Sequence, residues 1–331
     1  MSKLRRAIAI LPLRYLVQKL LLTVLLLWGV ASLIFLLVEL SPGTVADKYI
    51  GPDISPEQRD AVIAKFGLDQ PGYVRYFAMM ANLARFELGT SLVQERPVAT
   101  IILEALPNTL LLSIVTLLVV YPFGIGLGIF QAVRQGTASD SAASLTSLFF
   151  YSMPTFWLAL MLQLVAPRMG LPIAGMYDAV EYEYMTGWEQ FTDRLSHILL
   201  PGVAMGLSGA AGLARYMRSS LLEVIRQDYV RTARAKGLPE RVVIGRHALR
   251  NALLPIITLI GLSLPFLVGG SVLVETVFAW PGMGRLILDA IYQQDTPLIT
   301  ACFLLFALVV TAGNLVADLL YAVVDPRIRY A

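Results

Sequence analysis

The sequence predicts an all-α polytopic membrane protein with six transmembrane helices and both termini in the cytoplasm. Three observations lead to this fold class. Hydrophobic residues occupy 57% of the 331 positions and charged residues only 15%, so a lipid bilayer suits the chain better than water does. Apolar segments long enough to cross a bilayer recur along the chain. Basic residues gather on alternate connections between those segments.

The predicted spans share an apolar composition over about 20 residues, which is the length that a helix needs to cross the hydrocarbon core of a bilayer. Helices are expected throughout because backbone groups in lipid must be paired within their own segment. The six predicted spans are residues 17–38, 109–133, 143–166, 198–216, 252–278 and 298–323.

The positively charged residues set the predicted orientation. If the first connection lies outside the cell, 17 of the 26 Lys and Arg fall on the cytoplasmic side, as the positive-inside rule requires. Residues 1–12 are then expected to form a short cytoplasmic or interfacial extension, and residues 13–330 a transmembrane domain. The apolar run of the first span is longer than the core of a cleaved signal peptide, so we expect this span to be retained.

Two external loops are long enough to carry structure of their own. The first, residues 41–107, contains a predicted short helix at 55–66, with Ser55 as N-cap and Gly67 as the stop. The second, residues 167–197, is rich in Asp, Glu, Tyr and Trp. Long loops in a compact fold are more often functional than idle, so docking of an external partner is favoured over a solvated connector.

The chain offers little for enzymatic chemistry. The segment around Ser208 has the GxSG form of rhomboid membrane proteases, but the only histidines, His197 and His247, lie at the outer start of the same span and in a cytoplasmic loop. A base for Ser208 is therefore missing, and packing of small residues is favoured. No HExxH motif, His/Cys cluster or phosphate-binding loop occurs, so we expect no catalytic site, metal or bound cofactor.

Ionisable or helix-bending residues within apolar segments are candidates for a transport pathway or gate. Glu275 precedes Trp280-Pro281-Gly282, which is typical of a tight turn at the outer mouth, and it either lines a path for a cationic group or faces water. Asp318 shares a helical face with other polar residues, and a lock between helices is favoured there. Pro154 can bend the third span, in a moving pathway or in a static bundle.

The strongest local signal is the stretch YVRTARAKGLPERVVIGRHALRNALLP, residues 229–255, which holds six Lys or Arg and one acidic residue. A helical pattern runs over residues 222–236, and Gly237 followed by Pro239 predicts that one helix stops and another starts. The apolar stripe of the first helix comprises Leu222, Ile225, Tyr229 and Ala233. Two projecting helices fit a groove in another protein better than they fit a plain topology signal, lipid headgroups or nucleic acid.

These residues resemble a known family, the integral-membrane subunits of ABC importers in the dipeptide/oligopeptide/nickel permease group. The resemblance extends over nearly the whole chain, and it is strongest in the basic loop at 218–220, 227–238 and 246–255. Further matches are GLDQP at 67–71, RPV at 96–98, SMPTFW at 152–157, ETVFAWPGMGR at 275–285 and DPRIRY at 325–330.

The resemblance implies a type I ABC importer permease fold in the inner (cytoplasmic) membrane. Residues 217–251 would be the EAA loop, whose first helix docks on an ATPase subunit. The implied coupling residues are Tyr229, Arg231, Thr232, Ala233, Arg234, Lys236, Gly237 and Leu238. The leading Glu-Ala-Ala of the general motif falls on residues 231–233 here, so the docking charge would be Arg231, Arg234 or Lys236, seeking acidic residues on the partner.

The same resemblance implies the partners of the chain. They would be a second homologous permease subunit, giving a heterodimer, two ABC ATPase subunits that use ATP and Mg, and an extracytoplasmic substrate-binding protein. Di- or oligopeptides are the implied cargo, and nickel or an oligosaccharide stays open. Outside transport, the alternatives are a membrane serine protease around Ser208 and a receptor-like scaffold.

Overall fold

Helices make up most of the chain that the structure describes. The structure is a computed structural model, and it describes residues 13–43, 46, 55–65, 67–263 and 271–324. In chain order the α-helices are α1 (Leu13–Glu39), α2 (Pro56–Lys65), α3 (Gly72–Ala84), α4 (Val98–Val133), α5 (Ala138–Ser152), α6 (Thr155–Val165), α7 (Gly187–Ile225), α8 (Asp228–Ala235), α9 (Glu240–Val242), α10 (Leu249–Ala252), α11 (Leu254–Ser263), α12 (Val272–Val277), α13 (Met283–Gln293) and α14 (Thr296–Val324). Short 3-10 helices occupy Ala166–Met169 and Tyr182–Tyr184, and a π-helical segment occupies Val243–Ala248. The predicted all-α class is confirmed for these residues.

Four helices are long and apolar enough to cross a membrane, counting only the described residues. They are Val17–Glu39, Val98–Val133, Gly187–Ile225 and Thr296–Leu315. The pair Ala138–Ser152 and Thr155–Met169 passes the same test as one bent unit, which gives up to five spans. The predicted span at 252–278 includes residues 264–270, which lie outside the described part of the chain. Six spans therefore stay a prediction.

The third predicted span, 143–166, is broken into two helices. Helix α5 ends at Ser152 and α6 starts at Thr155, with an angle of 101° in the bent pair. Met153 and Pro154 between them have extended backbone, with ψ of 132° and 129°. The clash of a proline ring with the preceding residue disfavours helical backbone there, so the predicted bend at Pro154 is confirmed.

Helices α4 and α7 begin earlier than the apolar pattern predicts. Helix α4 starts at Val98 instead of 109, and α7 runs over Gly187–Ile225 instead of 198–216. A capping box starts α7, because the Thr186 hydroxyl accepts from Glu189 N and the Glu189 carboxylate accepts from Thr186 N. Hydropathy marks the lipid-facing part of a helix, whereas capping extends the helix into the loop. The ends of both predicted outer loops are therefore helical.

The short helix in the first outer loop is confirmed. Helix α2 spans Pro56–Lys65, and Phe66, the last predicted position, lies outside the described residues. Ser55 Oγ accepts from Gln58 N at 3.3 Å and Gln58 Oε1 accepts from Ser55 N at 3.1 Å, which is a reciprocal cap. Gly67 then stops the helix with φ of 64°, a left-handed backbone conformation that glycine tolerates.

The described residues fold as two compact units, one within 1–108 and 282–331 and the other within 109–281. The core of the first unit contains Val98, Ile101, Met283, Leu298 and Cys302, all buried. In the second unit α4 and α7 approach closely through glycines. A Cβ on Gly128 would lie 2.6 Å from the Ala214 carbonyl oxygen, and a Cβ on Gly206 would lie 2.6 Å from Val119 Cβ. Small residues at these positions set the helix separation.

The N-terminal extension at 1–12 and the DPRIRY motif at 325–330 lie outside the described residues. The side chain of Asp318 does so as well, although its backbone is part of α14.

Candidate functional site

The basic loop begins with a break between two helices, so the predicted single helix over 222–236 is wrong. Helix α7 ends at Ile225, and Gln227, with φ of −71° and ψ of 149°, forms the extended cap of α8. Asp228 occupies the first turn of α8, where a carboxylate is favoured by the positive end of the helix dipole. Leu222 and Ile225 consequently belong to α7 and contribute nothing to the stripe of α8.

Two small apolar side chains anchor α8 in the core of the second unit. Val230 and Ala233, three positions apart, are buried in a cluster with residues of α7 and of the π-helical segment. The cluster includes Met217, Leu221, Val243, Ala248, Ala252 and Ile256. Ala233, one of the implied coupling residues, therefore faces inward. Tyr229, which shares the predicted apolar stripe with Ala233 and is also an implied coupling residue, is 42% exposed, and its hydroxyl accepts from Asn251 Nδ2 at 2.7 Å.

Gly237 forms the corner after α8, which confirms the predicted stop. Its φ is 76°, and its N–H donates to the Arg234 carbonyl at 2.9 Å. No heavy atom lies within 4 Å of a Cβ built on Gly237, so the position requires glycine for its backbone conformation and not for space. Pro239 has extended backbone and caps α9, one position before the helix that it was predicted to start.

An ion pair bridges this corner. Arg234 Nη2 donates to Glu240 Oε1 at 2.7 Å and Arg234 Nε donates to Glu240 Oε2 at 3.1 Å, so the contact is bidentate. The hydrogen bond raises the pKa of Arg234 and lowers the pKa of Glu240 below its usual range. The side chain of Arg234 is 39% exposed and that of Glu240 is 53% exposed, so the pair contributes little to the free energy of unfolding. Its main effect is to fix the angle between α8 and the helix that follows the corner. Glu240 was missed because its partner lies across a turn.

The remaining predicted coupling residues are exposed. Arg231 has 70% of its side chain exposed and only a 3.5 Å contact with Asp228, while Lys236 and Leu238 lie at the exposed corner. The Thr232 hydroxyl donates to the Asp228 carbonyl at 2.9 Å, so it is satisfied within α8. The structure thus places the exposed Arg231 on a short helix that ends at the Gly237 corner.

A second bidentate ion pair, which the sequence analysis missed, lies at the end of α7. Arg218 Nη2 and Nε donate to Asp140 Oδ2 and Oδ1 at 2.8 and 3.2 Å. Asp140 also accepts from Gly136 N at 3.1 Å and from Ser144 Oγ at 3.3 Å. This pair fixes the turn between α4 and α5 to the helix that leads into the basic loop. Arg218 opens the motif at 218–220, but no local pattern connects it to Asp140.

The candidate gate residues Glu275 and Trp280 are buried. Glu275 is fully buried and accepts from Thr109 Oγ1 at 3.1 Å, so it faces neither water nor an open path in this structure. Trp280 is buried beside Leu112 and Ile198, and its N–H donates to the Glu275 carbonyl at 2.8 Å. The predicted tight turn is present, with Ala279 at φ of 50°. A gating role for these two residues stays a prediction.

The geometry around Ser208 does not support proteolysis. His197 lies on the same helix, about 16 Å away along the axis at the rise of an α-helix. Its Nδ1 lies 2.9 Å from the Asp193 carbonyl oxygen and 3.3 Å from the Asp193 carboxylate, so the ring is engaged locally. No group of three or more His, Cys, Asp or Glu within the described ranges is arranged to hold a metal ion.

Comparison with known proteins connects this loop to a family. Residues 124–330 match the family model described as "Binding-protein-dependent transport system inner membrane component". The chain belongs to this family. Residues 12–113 of the chain match a second family model, which describes the N-terminal part of such components, "Binding-prot-dependent transport system membrane comp, N-term". The basic loop and its corner at Gly237 lie inside the first of these matches.

Curated relatives of this inner membrane component match it over nearly its full length. The oligopeptide transport system permease protein AppB of Bacillus subtilis is 39% identical over 96% of this chain and 99% of its own length. The di/tripeptide transport system permease protein DppB of Pseudomonas aeruginosa is 39% identical, over 92% and 95% of the two chains. The glutathione transport system permease protein GsiC of Escherichia coli K12 is 37% identical, over 96% and 99%.

Proposed function

We propose that the chain is the transmembrane permease subunit of an ATP-driven importer of short peptides. It forms half of the translocation pathway and receives its cargo from an extracytoplasmic binding protein. Peptide cargo is supported by the relatives, which are named as permeases for oligopeptides, di- and tripeptides and glutathione. All of these cargoes contain amino acids joined by amide bonds.

The corner at Gly237 carries the proposal. Because the sequence has no phosphate-binding loop, partner subunits must bind ATP and Mg. Their conformational change must then reach this chain through a protein–protein contact. Helix α8 meets this need, since Val230 and Ala233 anchor one face while Arg231 and Lys236 remain exposed on the other. A short helix fixed at its base transmits a push as a rigid lever.

The complete machine then contains a second homologous permease subunit, two ATPase subunits and the binding protein, in the inner membrane with both termini of the six-span chain in the cytoplasm. Closure of the ATPase subunits on ATP moves the coupling helices and exchanges an inward-open pathway for an outward-open one. The contacts of α8 must differ between those states, because a partner that binds both states equally shifts no equilibrium.

The test is purification of the tagged chain from its native membranes, mass spectrometry of the copurifying proteins, and uptake of a labelled di-, tri- and tetrapeptide mixture into vesicles. ATPase subunits, a binding protein and ATP-dependent peptide uptake are expected. Ser208→Ala is the matched control and should leave uptake unchanged. Absence of ATPase subunits from a folded preparation, or uptake that ignores ATP, would overturn the proposal.

A further inference from the structure

Two of the three candidate docking cations, Arg231 and Arg234, have different surroundings in the structure. We propose that Arg234 forms an internal clamp with Glu240 across the Gly237 corner, and that Arg231 is the residue that pairs with an acidic side chain of the ATPase subunit. This inference rests on the proposed function, because it specifies how the coupling helix meets its partner.

The face that α8 turns outward follows from its buried residues. Successive residues of an α-helix are rotated by about 100°, so the direction opposite Val230 and Ala233 belongs to Asp228, Arg231, Thr232 and Ala235. All four are exposed. Arg234 instead lies on the flank between the anchored face and the outward face, and from there it reaches Glu240. The position of Arg234 on the helix therefore suits an internal contact.

The hydrogen-bond geometry agrees with this division. The Nε–Nη2 edge of Arg234 is used by both oxygens of Glu240, so that edge can bind a partner carboxylate only by breaking the clamp. Arg231 makes only the 3.5 Å contact with Asp228, whose side chain is 96% exposed. Exchanging so weak a surface contact for a carboxylate on a partner costs little.

The outward strip also indicates what the partner looks like. Thr232 and Ala235 are small, and the Thr232 hydroxyl is already satisfied by the Asp228 carbonyl, so another surface can approach the helix closely. Tyr229 lies at the edge of the strip with its hydroxyl held by Asn251, which orients the aromatic ring before binding. The strip fits a groove with an apolar floor and an acidic side chain opposite Arg231.

Charge exchange within the full complex separates the two roles. Arg234→Glu and Glu240→Arg should each reduce the ATPase subunits that copurify, by about fivefold, because each replaces the clamp with a like-charge contact. The double variant restores an opposite-charge pair and should recover to within about twofold of the wild type. Arg231→Glu should reduce copurification by about tenfold or more, and adding Asp228→Arg should not rescue it.

A crosslinking readout covers variants that fold poorly. Cys302 is the only cysteine and is buried, so a cysteine introduced on α8 reacts selectively with bifunctional reagents. Ala235→Cys, on the outward strip with Arg231, should crosslink to an ATPase subunit several times more efficiently than Arg226→Cys, which is exposed before α8, in complexes that keep both Arg231 and Arg234. Equal crosslinking would overturn the outward strip as the docking face, and a double variant as defective as Arg234→Glu would overturn the clamp. If the wild-type complex itself contains no ATPase subunit, the proposed function fails instead.

Discussion

Two Arg–carboxylate pairs in the unit formed by residues 109–281 have the same bidentate geometry but different surroundings. In the Asp140–Arg218 pair the carboxylate side chain is 6% exposed and the guanidinium 31%. In the Arg234–Glu240 pair both side chains are considerably more exposed. Asp140 also accepts from a backbone N–H and a serine hydroxyl, whereas the Glu240 carboxylate accepts from Arg234 alone within the described part of the chain.

Because of this difference, the buried pair affects the free energy of unfolding, whereas the exposed pair affects the geometry of the turn. A buried carboxylate surrounded by donors is costly to disturb, because removing one partner leaves a charge without compensation. An exposed pair is screened by water, so it contributes little to the free energy of unfolding but still favours one geometry of a short turn. We infer that Asp140 and Arg218 hold α7 against the turn between α4 and α5, and that Arg234 and Glu240 fix the geometry of the corner that follows α8.

The largest effect is expected at the buried pair. Asp140→Asn should lower the midpoint of thermal unfolding in detergent by about 5 °C or more, because Arg218 keeps its charge and loses its counter-ion. The protein is heated to a series of temperatures, and size-exclusion chromatography then measures the fraction that remains monodisperse. Arg226→Met removes an exposed arginine from the same region and should have almost no effect. Equal shifts for the two variants would remove the distinction between the pairs.

The next effect is expected at the corner itself. Gly237→Val should reduce ATP-driven uptake by about tenfold, since a β-branched residue is strained at φ of 76° by about 1–2 kcal/mol or more and the corner must move. Gly237→Asn is the matched variant, because asparagine tolerates left-handed backbone, and it should keep most of the uptake. Thermal stability should change little in either variant. If valine and asparagine behave alike, the backbone conformation is not the reason for the glycine.

A smaller effect is expected from pH. The pKa of Glu240 is lowered by Arg234, so the clamp contributes fully at neutral pH and its contribution is lost as the pH falls through the ordinary glutamate pKa of about 4.3 and below. A spin label on Ala235→Cys should become more mobile over that range. The same label in a Glu240→Gln background should be mobile at every pH. A pH response that persists with glutamine would have to come from another group.

The smallest effect is expected at Asp228. Asp228→Asn removes the exposed partner of Arg231 across 3.5 Å and should change the unfolding midpoint by less than about 1 °C. Association with ATPase subunits should be unchanged or slightly stronger, because Arg231 becomes more available. Copurification measured beside the wild type checks this. A marked loss of association would show that the acidic residue itself meets the partner.

The local features of this chain were predictable, because their causes lie within a few residues. Ser55 caps the start of α2, Gly67 follows its end, and Gly237 follows the end of α8. Short sequence patterns display these cap and backbone effects. The features that were missed depend on distant contacts. Val230, which the predicted apolar stripe did not include, is buried against α7, whereas Tyr229 is exposed and its hydroxyl accepts from Asn251, 22 residues further along the chain.

The sequence by itself determined that this is a helical membrane protein, that a cationic helix ends at a glycine corner, and to which family the chain belongs. Composition, caps and motifs are sufficient for these conclusions, because each is a local property. Only the tertiary structure decided that Val230 and Ala233 pack into the core of the second unit, so that Arg231 faces outward. It also decided that Asp140 pairs with Arg218, 78 residues further along the chain. These outcomes depend on which surfaces meet after the chain has folded, and helical periodicity alone cannot specify a partner far away in the sequence.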